Sequence, residues 1–104
     1  MFAKFFQSLY AYNTWANQRV LDTAAKLTKA QFTGKHLATY GSIRTALVHC
    51  VTWQQIWIER CAGRPASPVL RPQRFPDVAR LVVKWREVDE ITRSFINQQS
   101  DADL

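Results

Sequence analysis

Between Ser42 and Gly63 the chain reads SIRTALVHCVTWQQIWIERCAG, and this stretch restricts the fold more than any other. Ile43, Leu47, Cys50, Trp57 and Cys61 fall on alternating four- and three-residue steps once Gln54 is counted as a single polar intrusion. That spacing marks one face of a helix. Ser42 stands where an N-cap is wanted, since its hydroxyl can accept a hydrogen bond from an orphan N–H of the first turn. Gly63 follows the last periodic residue, where a left-handed residue closes a helix, and Pro65 and Pro68 prevent its resumption. The expected helix therefore runs over residues 42–62.

Two more long helices are expected. Phe2, Phe6, Leu9, Asn13, Ala16, Val20, Thr23 and Leu27 keep a four-three spacing over residues 2–27. A period near 3.5 suits bundle packing at shallow crossing angles. Val78, Leu81, Trp85, Val88, Thr92 and Phe95 mark a third apolar face over residues 76–98. Pro76 suits a first helical turn, and Asp77 complements the positive end of the helix dipole. The connector TKAQFTGKHLATYG is broken at Gly34, with Phe32 and Leu37 expected to pin it to the core. The segment RPASPVLRPQRF holds three prolines and reads as an extended loop. With no alternating strand-like runs, the chain is expected to be all-α and one domain spanning residues 1–104.

The net charge of +6 is spread over scattered Lys and Arg, with no compact basic run and no basic recognition helix. That pattern reads as a solvated surface, so nucleic acid is not an expected partner. No apolar run approaches the ~20 residues that span a bilayer, so no membrane is expected either. Cys50 and Cys61 lie on one helix roughly 16 Å apart, out of disulfide reach. Free cysteines and the absence of a secretory leader point to the cytoplasm.

Two histidines occur. His36 lies in the polar connector and reads as solvent-exposed. His49 flanks the central stripe, on the side shared with Ala46, Trp53 and Ile56. It can be an interfacial histidine bonded to a carbonyl, or a metal ligand or general base. Asn13 and Asn17 are core-flanking amides in need of partners, Asn17 suited to another helix or a ligand.

Three blocks then resemble the DinB-like (DinB/YfiT) family of helical bundles: Tyr12, Trp15 and Asn17 as Y-x-x-W-x-N; Ser42, Ile43, Leu47, His49 and Trp57 with Arg60 and Gly63; and Trp85 followed by the polar segment Asp101–Leu104. The resemblance implies an up-down-down-up four-helix bundle and a divalent metal, zinc or nickel, on three histidines. His49 matches the helix-two ligand, and Trp53 and Trp57 would line the pocket. The other two ligands belong to an H-x-x-x-H pair on a fourth helix, which these residues do not contain. The metal site is therefore expected to be incomplete, and the chain alone to hold no metal tightly. The activity implied is metal-dependent hydrolysis or thiol-dependent transfer on a small molecule, with a non-catalytic dimerisation or partner-binding module as the alternative. The expected form is three long helices of a DinB-like bundle, truncated, or completed by a second subunit as a homodimer. Leu9, Ala16, Ile56 and Trp57 are the residues expected near that dimer seam.

Overall fold

The computed structural model describes residues 2–35 and 41–100. Among the described residues four α-helices succeed one another: α1 (Phe2–Ala24), α2 (Lys29–Thr33), α3 (Ile43–Cys61) and α4 (Val78–Asn97), with a 3-10 turn at Pro72–Arg74 before α4. No strand occurs among the described residues, so the all-α expectation holds.

The helix ends follow from local chemistry. Ser42 accepts a bond from the Thr45 backbone N–H at 3.0 Å, as its position suggests. At the other end of α3, Gly63 takes φ +72°, and the N–H groups of Gly63 and Arg64 reach back to the carbonyls of Arg60 and Glu59. These two bonds make a Schellman closure. α4 begins later than the sequence implies. Asp77 is the N-cap rather than a first-turn residue, accepting from the Arg80 N–H at 2.9 Å, and Pro76 precedes it. The connector differs most. α1 stops at Ala24 rather than Leu27, and a short helix follows. Thr28 accepts from the Gln31 N–H while Gln31 accepts from the Thr28 N–H, a capping box that starts α2. Phe32, on this single turn, is 1% exposed and does pin the connection. Leu37 and His36 lie outside the described residues.

α4 is the hub, packing against both α1 and α3. Gln7, Tyr10 and Thr14 near the start of α1 share a cavity with Thr92, Arg93 and Ile96 near the end of α4, so these helices are antiparallel. Ile58 and Ala62 share another with Ile91, Ser94 and Phe95, so α3 and α4 run parallel. The order of the three long helices is thus up-down-down. A parallel pair needs a long return, and residues 62–77 supply it. The Glu59 carboxylate fixes that return by accepting both the backbone N–H and the hydroxyl of Ser67. These two bonds also hold the Glu59 carboxyl below its ordinary pKa.

Leu21 and Ala24 from α1, Phe32 from α2, Val48 and Val51 from α3, Phe75 from the return, and Val78, Leu81, Trp85 and Val88 from α4 form one core. The stripe expected on α4 is buried from Val78 to Thr92, with Phe95 half-buried and Ile96 taking the last inward position. The stripes expected on α1 and α3 face the core only in part: Leu27, Ile43 and Leu47 pack against it, but most of the other stripe residues do not. Phe2, Leu9 and Val20 are exposed, as are Cys50, Trp57 and Cys61. α3 turns Val48, Val51, Thr52 and Ile58 inward instead. The physical reason is that both helices carry apolar residues around more than half their circumference. α4 covers one part of each, and the periodic pattern followed the other part.

Candidate functional site at the open corner

With α4 touching both α1 and α3, the three long helices occupy three corners of a square. The fourth corner lies between α1 and α3, diagonally across from α4. No described element fills it. Two grooves mark it. One, of about 550 Å³, has Leu9, Tyr12, Trp57 and Ile58 as walls, Asn13, Gln54 and Thr92 as polar lining, and Cys61 at one end. The other, of about 410 Å³, is lined by Arg19, Val20, Thr23 and Ala24 opposite Ile43 and Leu47.

His49 belongs to a row of four residues on α3, His49, Trp53, Trp57 and Cys61, each four apart and all exposed. Residues so spaced lie above one another and drift slowly around a helix. The row therefore begins on the outer flank at His49 and enters the groove at Trp57. The Trp53 indole N–H donates to His49 Nδ1 at 3.2 Å, and the two rings meet edge to face at 6.0 Å. In the neutral imidazole the proton then resides on Nε2. Trp57 lines the groove as expected, 61% exposed, with the Arg60 guanidinium 5.7 Å from its ring centre. Trp53 packs on His49 and is not part of the groove wall. Asn13 is in the groove lining, and Asn17 is half-buried.

The polar lining contains a residue that sequence reasoning missed. Gln54, an apparent interruption of the stripe, donates from Nε2 to Asp89 Oδ1 at 2.8 Å and to Thr92 Oγ1 at 3.2 Å. Thr92, itself buried, donates to the Val88 carbonyl at 2.8 Å. Asp89 stands one residue past Val88 on the apolar face of α4, and that adjacency was the available signal. Its carboxyl is pushed above the ordinary value by burial, against the opposing effects of Gln54 and Arg93.

A raised carboxyl pKa means that the folded chain holds this proton more tightly than the unfolded chain does. Stability contributed by Asp89 is then greatest on the acid side and is lost as pH rises from its unfolded value through its folded one. Asp89→Asn keeps an oxygen for Gln54 and removes the buried charge. The variant is expected to melt higher than wild type at neutral pH, with the gap closing as pH falls below the carboxylate range. Melting curves at a series of pH values check this. A gap that widens toward acid would reverse the assignment.

The donor set near His49 can be compared with what a metal needs. Among the described residues, no three His, Cys, Asp or Glu side chains gather where an ion could be held. A ligating histidine also normally donates its second ring N–H to an acceptor. Here Nδ1 is itself the acceptor for the Trp53 indole. These residues do not by themselves fit a metal centre.

With three helices in up-down-down order and a histidine on the flank of the open corner, the chain matches the DinB family over residues 1–104, its whole length. The chain belongs to the DinB family. No curated protein and no solved structure matches it. Within a DinB-family bundle the open corner is the notable feature, because its aromatic and aliphatic lining is exposed rather than packed. No described helix is long and apolar enough to cross a membrane.

Proposed function

We propose that this DinB-family chain is the three-helix part of a site for metal-dependent chemistry on a small molecule, hydrolysis or thiol-dependent transfer. His49 would be its one contributed ligand, its Nε2 freed only when the Trp53 indole N–H leaves Nδ1 and the ring proton moves there, and the remaining donors would arrive with a helix received in the open corner. The observation that carries this reading is the His49–Trp53–Trp57–Cys61 row, which runs from His49 on the outer flank to Trp57 and Cys61 in the groove lining. A cytoplasmic setting is part of the reading, supported by two free, exposed cysteines. Equilibrium dialysis against zinc or nickel tests it. The chain alone is expected to bind weakly and below one equivalent, and His49→Ala is expected to abolish that binding. Tight binding of one equivalent removed by His49→Ala would show that the chain completes the site unaided, and binding indifferent to His49→Ala would end the assignment of this residue.

A second reading is non-catalytic assembly as a homodimer. It is favoured by the exposed apolar residues that line the corner from both helices, Leu9 and Tyr12 of α1 and Trp57 of α3. A two-fold interface would bury such a patch twice. Of the residues expected at this seam, Leu9 and Trp57 are exposed and line the groove, Ala16 is half-buried, and Ile56 is already buried at 5% exposure. Sedimentation at micromolar concentrations reads the assembly state directly. A monomer with no concentration dependence removes this second reading and leaves the first.

A further inference from the structure

We propose that the cavity between the start of α1 and the end of α4 binds a small organic amine, with its ammonium group seated on the Asp89 carboxylate. This cavity lies apart from the open corner, so the inference stands independently of the metal reading.

The cavity follows from the sequence of α1. Gln7 and Thr14 precede the buried Leu21 by two heptads and by one, so the side of α1 that is apolar at Leu21 turns polar toward its start. Polar residues there do not close a dry interface with α4. A space of about 360 Å³ remains, walled by Gln7, Tyr10 and Ala11 of α1 and by Asp89, Ile96 and Asn97 of α4. Small-molecule sites run from roughly 300 to 1,000 Å³, so this one suits a ligand at the small end. Gln7 stands about 160° around α1 from Leu9 and about 140° from Tyr12, the residues that wall the corner groove. The cavity therefore opens on the side of α1 away from the corner, with Tyr10 and Thr92 bordering both.

Asp89 decides the class of ligand. It is half-buried, and Gln54 Nε2 donates to its Oδ1 at 2.8 Å from the α3 side. No second hydrogen bond reaches this carboxyl among the described residues. Arg93, the cation whose charge it feels, is bonded instead to Glu90, and both of those side chains are well exposed. A carboxylate drawn partly out of water is stabilised by a cation that also donates hydrogen bonds. The side chains of Gln7, Tyr10 and Asn97 make no hydrogen bond within the described residues, and each has an oxygen that can accept one. An ammonium group has three N–H donors, enough for the carboxylate and two of these oxygens. Ala11, Ile96 and the Tyr10 ring offer apolar surface to the body of such a molecule. Burial already pushes the Asp89 carboxyl above its ordinary pKa, and a bound ammonium would draw it back toward the ionised form. An anionic ligand would meet Asp89 as a like charge, with Arg93 already engaged by Glu90.

The test uses benzylamine, benzyl alcohol and benzoate, which share one ring and carry a positive, a neutral and a negative head. Their affinities for the intact chain are read by NMR titration at mildly alkaline pH, where benzylamine is protonated and Asp89 ionised. Benzylamine is expected to bind at least about tenfold tighter than either of the others, the margin of one charge-assisted hydrogen bond. Asp89→Asn keeps the side chain's shape and an oxygen for Gln54, and is expected to bring benzylamine down to the level of benzyl alcohol. Tyr10→Phe removes one accepting oxygen and is expected to weaken benzylamine by a smaller factor. Saturating benzylamine is expected to raise the melting temperature of wild type and to leave that of Asp89→Asn unchanged. Equal binding of the three probes overturns the proposal, as does benzylamine binding that survives both substitutions. A preference for benzoate overturns it in favour of an anion held by Arg93. Binding of none of the three at millimolar concentration overturns it as well.

Discussion

Replacing Trp85 by alanine is expected to cost about 3–5 kcal/mol, enough to unfold much of the chain at ordinary temperature. Trp85 sits mid-way along α4 at 3% exposure, on the stripe shared by Leu81 and Val88. The helix it belongs to is the only long one that packs substantially on both others. Deleting its ring therefore loosens two interfaces at once, and a three-helix assembly has no other layer to collapse into the void. Its indole N–H is buried and has no hydrogen-bond partner among the described residues. Such a group carries a desolvation cost without a compensating bond. Trp85→Phe removes that cost while keeping most of the packed ring. It is expected to stay within about 1.5 kcal/mol of wild type, since the void left by the smaller ring is modest and the unpaired N–H goes with it. Urea denaturation of both variants separates the two effects. A large loss in Trp85→Phe would mean that the N–H is satisfied in solution and matters.

Phe32→Ala is the second large effect, again about 3–5 kcal/mol. Phe32 is 1% exposed although the helix bearing it is one turn long. A five-residue helix has little stability of its own. α2 is therefore held by this ring against the core and started by the Thr28–Gln31 capping box. Without the ring the segment is expected to detach, so amide exchange across residues 29–33 should rise to that of an open chain. Thr28→Ala removes only the cap and is expected to cost about 1 kcal/mol. Equal losses in the two variants would show that the cap, not the ring, holds α2.

The sequence was most informative where one face of a helix is covered and the other is wet. α4 is such a helix, and its stripe from Val78 to Thr92 was read correctly. α1 and α3 were recognised as helices, and the caps at Ser42 and Gly63 were legible because they depend on one side chain and one backbone angle. Which face of α1 or α3 points inward was not legible. Both helices are apolar on the side toward α4 and on the side toward the open corner, and periodicity alone does not rank two apolar faces. Gln54 illustrates the same limit. As a letter in a stripe it was an interruption; its partners Asp89 and Thr92 lie thirty-five and thirty-eight residues away. Spacing puts His49 and Trp53 on one side of α3, yet the bond between them depends on two ring orientations that spacing does not specify.

The position of α4 as hub has a consequence for how the chain is made. α1 and α3 each find their main packing surface on the helix that is synthesised after both of them. At a synthesis rate of about 5–20 residues per second, roughly four to fifteen seconds separate the end of α1 from the end of α4. During that interval the apolar sides of α1 and α3 have no hub to pack on, and early tertiary structure is confined to contacts such as those of Phe32 with α3. A nascent chain of this design spends its synthesis in the state most prone to chaperone capture, and its commitment to the native bundle comes with the emergence of Leu81, Trp85 and Val88.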